Sequence, residues 1–343
     1  MILTVTLNPA LDVTYRVPRV ELHASHRVRE VTQLAGGKGV NVASVLHQRG
    51  LQVVATGLLG GLGGQQVRAD LDARGIAHDF AGCCGETRRS VSVVSEADGD
   101  ATVFNEPGPE VGPGDWQAFE DHLGGLLRRL SPAVVVVSGS LPPGVPADAC
   151  GRVLVAARAC GARTVVDTSG PALLEALAAG PDVVKPNREE LAEATGERDP
   201  VAGALLLQRS GAREVLVSAG ADGLVLVEPG GAVTRAWLAE PLSGNPTGAG
   251  DAAVAALAAG LALGRAARDT LRDAVAWSAA AVLHPVAGHT RPADIDRLLP
   301  MVRIEPGPRP TRRVTSRPTP QHAPQPTPQP TPSEEASHAD PTA

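Results

Sequence analysis

The chain has 343 residues, a formal charge of −6 from 37 acidic and 31 basic side chains, and only 2% aromatic residues. That length buries a sizeable core in one large or two smaller α/β domains, and the acidic balance offers no broad basic field to nucleic acid or to an anionic membrane surface. With so few rings there is almost no stacking surface for single-stranded bases, so any bound anion must be held locally.

The first residues, Met1-Ile2-Leu3-Thr4-Val5-Thr6-Leu7, read as a strand with no basic leader and no small-residue cleavage site, and no apolar run is long enough to cross a bilayer. A soluble cytoplasmic protein is expected. Asp12 follows in "LNPALD" just past the strand, where a carboxylate accepts hydrogen bonds from sugar hydroxyls or simply caps a turn. Residues 11–31 and 87–105 alternate polar with apolar side chains, the second segment around an Asp98-Gly99 turn. Period-two alternation marks half-exposed antiparallel strands, so a small separate sheet, a lid, is expected. Arg27 and Arg88 fall on it, suited to clamp a phosphate or to lie on a solvated face.

Between these segments stands Gly36-Gly37-Lys38-Gly39-Val40-Asn41. Its glycines permit close backbone approach, and Lys38 and Asn41 put a cation and an amide at the start of a helical run; the plainer reading is a flexible turn with a solvated lysine. The cysteines, Cys83, Cys84, Cys150 and Cys160, show neither a CxxC pair nor histidines at ligand spacing, and are best read as buried small hydrophobes.

Valine-rich runs at 132–140, 162–170, 181–187 and 214–223 alternate with alanine- and leucine-rich helical stretches. Continuous β-branched runs joined by helices predict a doubly wound, mostly parallel sheet covered on both faces, with ligands outside the carboxyl ends of its strands. Asn187 and Glu190 in "KPNREEL" have the N-x-x-E spacing of a helix cap with its box, and the same pair suits magnesium held through its waters. Residues 218–223, "SAGADG", form a loop open enough for a nucleotide and equally readable as a hairpin turn.

In Thr247-Gly248-Ala249-Gly250-Asp251 a glycine turn ends in a carboxylate at the start of an alanine-rich helix. Helix starts and glycine turns both present N–H donors, which suits a phosphoryl group, and the helix dipole favours an ionised acid there. A base for the attacking hydroxyl and an anion hole for the phosphorus would then share one helix end; the plainer reading is a helix cap. Gly248-x-Gly250-x-x-Ala253 also fits a dinucleotide fingerprint, but "PLSGNP" precedes it in place of a strand, and GxxxxGK[ST] is absent. From residue 305 the chain turns to proline, threonine and glutamine with almost no apolar side chains, and 305–343 is expected to be a solvated, disordered tail.

Six segments in order, "TLNPALD", "GGKGVNVASVLHQRG", "SGSLPPGV", "KPNREEL", "SAGADG" and "NPTGAGDAAVAALAAG", resemble the PfkB branch of the ribokinase-like sugar kinases over residues 1–304. The resemblance implies a ribokinase-like α/β domain with a β-sheet lid, ATP as donor and Mg²⁺ as the required ion. It implies Asp251 as catalytic base with Gly248, Ala249 and Gly250 as anion hole, and Asp12, Gly37, Lys38, Asn41, Arg88, Arg27 and Ser138 at the sugar. Lys185, Asn187, Ser218, Gly220, Ala221 and Gly223 would line the nucleotide, with Asn187 and Glu190 toward magnesium. The start, the Lys38 loop and "NEPGPE" look most like 1-phosphofructokinases and tagatose-6-phosphate kinases. The implied reaction is phosphorylation of a ketohexose phosphate, most simply fructose 1-phosphate, by a homodimer paired through the lid; the alternatives are tagatose 6-phosphate or fructose 6-phosphate as acceptor and, more distantly, an unphosphorylated sugar or nucleoside, or a sugar-phosphate sensor without catalysis. Two departures bear on the substrate. Asn245-Pro246-Thr247 stands where an acidic residue usually precedes the loop, and Ala252-Ala253 follows Asp251 where a hydroxyl is common.

Overall fold

The computed structural model describes residues 1–97, 100–240 and 242–307. The expected Asp98-Gly99 turn and residues 308–343 of the expected tail lie outside the described residues. In chain order the first half runs β1 (Ile2–Thr6), β2 (Ala10–Val17), β3 (Glu30–Gly36), α1 (Lys38–Gln48), β4 (Val53–Leu59), α2 (Gly61–Ala73), β5 (Ala81–Gly82), β6 (Arg88–Ser95), β7 (Asp100–Asn105) and α3 (Pro113–Leu130). Then come β8 (Val134–Ser138), α4 (Ala149–Ala159), β9 (Arg163–Asp167), α5 (Gly170–Ala178), β10 (Val183–Val184), α6 (Arg188–Thr195), α7 (Pro200–Ser210) and β11 (Glu214–Ser218). The chain continues with β12 (Leu224–Val227), β13 (Val233–Leu238), α8 (Ala249–Ala262), α9 (Ala267–Val282), α10 (Pro292–Leu298) and β14 (Val302–Pro306).

The main sheet has ten strands in the order β14-β13-β12-β11-β10-β9-β8-β1-β4-β5. It is parallel from β5 to β11 and antiparallel from there to β14. The chain winds outward from β1 through β4 to β5, then returns to β8 on the other side of β1. That reversal puts a topological switch point beside β1, where open α/β sheets bind ligands.

The valine runs follow from burial on both faces: Val134 and Val136 of β8 join the core under α1, α2, α8, α9 and α10, while Val135 and Val137 join the core under α3 to α7. The 181–187 run yields only the two-residue β10, because Pro181 and Pro186 flank it and proline cannot donate to a ladder. Helix α8 is buried on nearly all sides, which its alanines suit; at Gly260 even a Cβ would come 2.2 Å from Thr270 Oγ1 of α9.

The lid is a four-stranded sheet in the order β3-β2-β6-β7. The 87–105 segment folds as expected into β6 and β7. The 11–31 segment is corrected: β2 stops at Val17 before Pro18, residues 18–29 form no strand, and β3 runs on to Gly36, inside what reads as the glycine loop. The lid is not wholly antiparallel either, since β2 pairs with β6 in parallel. Strand β14 extends past residue 304, its Glu305 and Pro306 pairing with Arg235 and Thr234 of β13. Of the cysteines only Cys150 is buried; Cys83 is half-buried, and Cys84 and Cys160, in a turn and at the end of α4, are exposed. No helix among the described residues is long and apolar enough to cross a membrane.

Candidate active site

A cavity of about 900 Å³ opens where the carboxyl ends of the central strands, the start of α8 and the lid converge. Asp251, 6% exposed, enters it from the first turn of α8. The turn before it needs glycine at Gly248 on two counts, a φ of +85° and a Cβ that would sit 3.0 Å from Ala287 Cα. First-turn amides have no helical acceptor. That of Ala249 donates to Pro246 O at 3.2 Å, so the backbone donors left for an anion in this turn are those of Gly248, Gly250 and Asp251, all of which line the cavity.

Asn41 Nδ2, from the first turn of α1, donates to Asp251 Oδ2 at 2.8 Å. Burial, with help from the neighbouring Asp167 carboxylate, pushes Asp251 up to about 6, against the opposing pull of Asn41, Lys38 and Lys185. Its carboxylate therefore still predominates at pH 7 and binds a proton far more readily than a solvated aspartate.

Two lysines face it across a second acid, Asp167. Lys38 Nζ lies 3.4 Å from Asp167 Oδ1 and 3.5 Å from Glu190 Oε1, and Lys185 Nζ lies 3.2 Å from Asp167 Oδ1. Burial works against the Asp167 charge, but Lys185 and Lys38 outweigh it and hold this carboxyl below its usual range. Burial likewise works against the Lys38 ammonium, and Asp167, Glu190 and Asp251 more than reverse it. The result is two lysines held against Asp167, with donor capacity to spare for phosphate oxygens.

At the lid side, Asp12 sits against Gly36, where a Cβ would fall 2.1 Å from its carboxyl carbon. Burial raises Asp12 to about 7, opposed by Arg88 and aided by Asp251. Arg88 is anchored through Nε to Asn8 O at 3.1 Å and through a terminal nitrogen to Glu106 O at 3.3 Å, and still lines the cavity. Asn187 and Glu190 form the capping box of α6, each side chain bonding the other's backbone N–H at 2.8 Å. Both also line the cavity, so serving as the cap does not remove them from it. Residues 218–223 form the hairpin turn between β11 and β12, and Ser218, Gly220, Ala221 and Gly223 line the cavity beside an aliphatic floor of Leu224, Leu238, Leu242, Val275 and Val282.

Most of the sequence-predicted set therefore converges: Asp12, Gly37, Lys38, Asn41, Arg88, Lys185, Asn187, Glu190, the 218–223 loop and Gly248 to Asp251. Two residues do not. Arg27 lies exposed in the 18–29 segment and does not line the cavity, because the strand expected to carry it is broken by Pro18. Ser138 is 2% exposed and also off the lining; its hydroxyl donates to Asp167 Oδ2 at 3.2 Å, so it orients an acid and does not meet a sugar directly. Asp167 itself was missed by the sequence reading, although an acid closing the valine run "RTVVD" at a strand's carboxyl end was a visible signal. Arg188 and Ser90 line the cavity too, with nothing in their local sequence to mark them.

The chain matches the model of the pfkB family carbohydrate kinases over residues 6–294. It is 40% identical to a 1-phosphofructokinase of Xanthomonas campestris over 76% of this chain and 83% of that protein. It is also 40% identical to a 1-phosphofructokinase of Rhodobacter capsulatus over 85% of this chain and 93% of that one. Among solved structures, phosphofructokinase-2 from Escherichia coli in complex with potassium superposes with a TM-score of 0.81 at 30% identity, covering 87% of this chain and 98% of that chain.

Proposed function

The chain belongs to the pfkB family of carbohydrate kinases, phosphotransferases acting on a sugar hydroxyl, and on that premise we propose that it phosphorylates fructose 1-phosphate with ATP to give fructose 1,6-bisphosphate. The observation that carries the reading is Asp251, a buried carboxylate of raised proton affinity at the open first turn of a helix. The two 1-phosphofructokinases among the relatives support this choice over tagatose 6-phosphate or fructose 6-phosphate as acceptor.

The attacking hydroxyl lies between Asp251 and the donor. Its oxygen forms the new bond to the terminal phosphorus, the bond from that phosphorus to the bridging oxygen of ATP breaks, and the hydroxyl proton passes to Asp251. The N–H groups of Gly250 and Asp251 hold the equatorial oxygens, and Lys38 and Lys185 offset the charge on the phosphate chain. Asp12 and Asn41 orient the sugar hydroxyls, and Arg88 holds the phosphate that the sugar already carries. The hairpin turn at 218–223 and its aliphatic floor take the nucleoside.

Magnesium, when bound, neutralises and orients the donor phosphates. The residues fit it in one way only: Glu190 has one oxygen in the capping box and the other near Lys38, and among the described residues no cluster of three or more acidic, His or Cys side chains stands ready for a metal. Asn187 and Glu190 therefore act through the ion's water shell, which magnesium largely keeps.

A second copy covering the lid is part of the proposal, supported by Val31 of β3 and Val103 and Phe104 of β7, which are 53%, 49% and 60% exposed. The cytoplasm, where ATP is supplied, is the proposed compartment. The test is ADP release from Mg·ATP with fructose 1-phosphate, fructose 6-phosphate, tagatose 6-phosphate and free fructose in parallel. Highest kcat/KM on fructose 1-phosphate is expected, and higher kcat/KM on either other phosphosugar overturns the substrate assignment.

A further inference from the structure

Outside the cavity, one buried polar chain runs from the root of the lid to the back of the anion hole. It starts at β3, whose Ala35 N–H donates to Asp70 Oδ2 of α2 at 2.9 Å, one residue before the Gly36 that packs on Asp12. Arg74, at the end of α2, donates to the same Asp70 oxygen at 3.2 Å and with its other terminal nitrogen to Ser44 Oγ of α1. Both charged side chains are under one-fifth exposed, and Ser44 is 1% exposed.

Ser44 Oγ in turn donates to Gly288 O at 2.5 Å. Gln48 reinforces the contact, donating to Ser44 Oγ at 2.9 Å and Gly288 O at 3.0 Å while its carbonyl accepts from Thr290 N at 2.7 Å. A hydroxyl has one proton to give. With Arg74 and Gln48 both donating to it, Ser44 donates its one proton to Gly288, and Arg74 is the donor that ties this hydroxyl to Asp70 and α2.

The 287–290 loop is what Gly248 leans on. A Cβ at Gly248 would meet Ala287 Cα and Gly288 N at 3.0 Å, and a Cβ at Gly288 would meet Asn41 Oδ1 at 2.7 Å, the amide that holds Asp251. A shift of this loop therefore moves the anion hole and the base together. Misplacement by about 1 Å costs on the order of 10²-fold in rate even when it originates far from the chemistry.

We infer that Arg74 is a positioning residue for phosphoryl transfer, acting with Asp70 and through Ser44 on the 287–290 loop behind Gly248. The inference rests on the kinase reading above, since it concerns the geometry of the same transfer. Arg74 touches no lining of the cavity, so its loss acts on kcat and spares both KM values.

The experiment compares Arg74→Met, Arg74→Lys and Ser44→Ala with Arg68→Met, a control on the same helix whose guanidinium bonds Phe80 O at 2.9 Å and lies off the chain described. Steady-state kinetics on fructose 1-phosphate are read beside thermal melts. The expected result is a fall in kcat of about 10-fold for Arg74→Met and Ser44→Ala with both KM values within about 2-fold, partial rescue by Arg74→Lys, and an unchanged kcat for Arg68→Met. A folded Arg74→Met enzyme with kcat within about 2-fold of wild type overturns the inference, as does an equal loss in Arg68→Met.

If Arg74→Met does not fold, Ser44→Ala decides alone, because it removes the hydroxyl that joins Arg74 to Gly288 while leaving Arg74 bonded to Asp70 and Gln48 bonded to Gly288 and Thr290. Wild-type enzyme silent on fructose 1-phosphate is a failure of the substrate reading and not of this one. The same variants are then compared on sugar-independent ATP hydrolysis, which uses the anion hole without the acceptor, with the same ranking expected and an unchanged rate in Ser44→Ala overturning it.

Discussion

Helices α1 and α8 begin alike and end up with opposite tasks. Each starts after a glycine of positive φ, +100° at Gly37 and +85° at Gly248, and each glycine is hemmed in, the first by Pro9 Cα and Thr6 Cγ2 and the second by the 287–288 backbone. Both therefore open N–H groups toward the same cavity. The difference lies in the first-turn side chain: Lys38 in α1, paired with Asp167 and Glu190, and Asp251 in α8, held by Asn41. On the proposed function, one backbone device serves two roles, charge neutralisation and proton removal. The Asn41–Asp251 bond fastens the two helix ends together, which in the proposed reaction would fix the separation of acceptor and donor.

The comparison breaks most completely at Asp251. Asp251→Asn keeps the shape and removes the base, so kcat is expected to fall by about 10³-fold or more, measured by ADP release at saturating substrates. The same variant should be more stable. The folded-state value of about 6 lies above the ordinary 3.8, so the folded protein holds this proton more tightly than the unfolded chain, and ionisation opposes folding once the pH passes about 4. The gain from Asn is complete above pH 6 and vanishes toward pH 4, where wild type is itself protonated. Thermal melts should show a rise of about 2–4 °C at pH 8 and none at pH 4. An equal or lower melting temperature at pH 8 would mean that Asp251 is not under strain from its charge.

Lys38→Met tests the other helix start. It removes a cation but leaves Lys185 on Asp167, so a loss in kcat of about 10²-fold is expected, smaller than at the base, with fold retained. A loss confined to KM would make Lys38 a binding group and weaken the parallel between the two helix ends.

The parts of the site were not equally legible in the sequence. Asp251 could be read because glycines, acid and alanine-rich helix are contiguous, and the valine runs of β8, β9 and β11 were plain because burial on both faces leaves no polar alternation. Asp167 stayed hidden because its function comes from Ser138, Lys38 and Lys185, which are distant in sequence and meet only when the strands align. Arg27 misled for the opposite reason. Alternation continued through Pro18 on paper, whereas the backbone needed a donor there that proline lacks. The Asn187–Glu190 spacing carried two readings because a capping box and an outer contact for a metal use the same two side chains, and the geometry accommodates both.

Arg88→Ala sharpens the contrast by striking the sugar side alone. The guanidinium is tied to Asn8 O, between β1 and β2, and to Glu106 O, just after β7, and is not among the groups bonded to the lysine pair, so KM for the phosphorylated sugar should rise about 10-fold while KM for ATP stays within about 2-fold. An equal rise in both would move Arg88 out of the sugar subsite.

The smallest effect is expected at the link between the two helices. Asn41 donates to Asp251 and thereby favours its charged form, lowering a proton affinity that burial raises. In Asn41→Ala the base should protonate at higher pH, so the acid limb of the kcat profile, near pH 6 in wild type, moves upward while the rate on the alkaline plateau falls only several-fold. The sign is diagnostic. If Asn41 served only to orient the sugar, its loss would change KM and leave the limb in place; if its bond to Asp251 tunes the base, the limb moves even at saturating sugar.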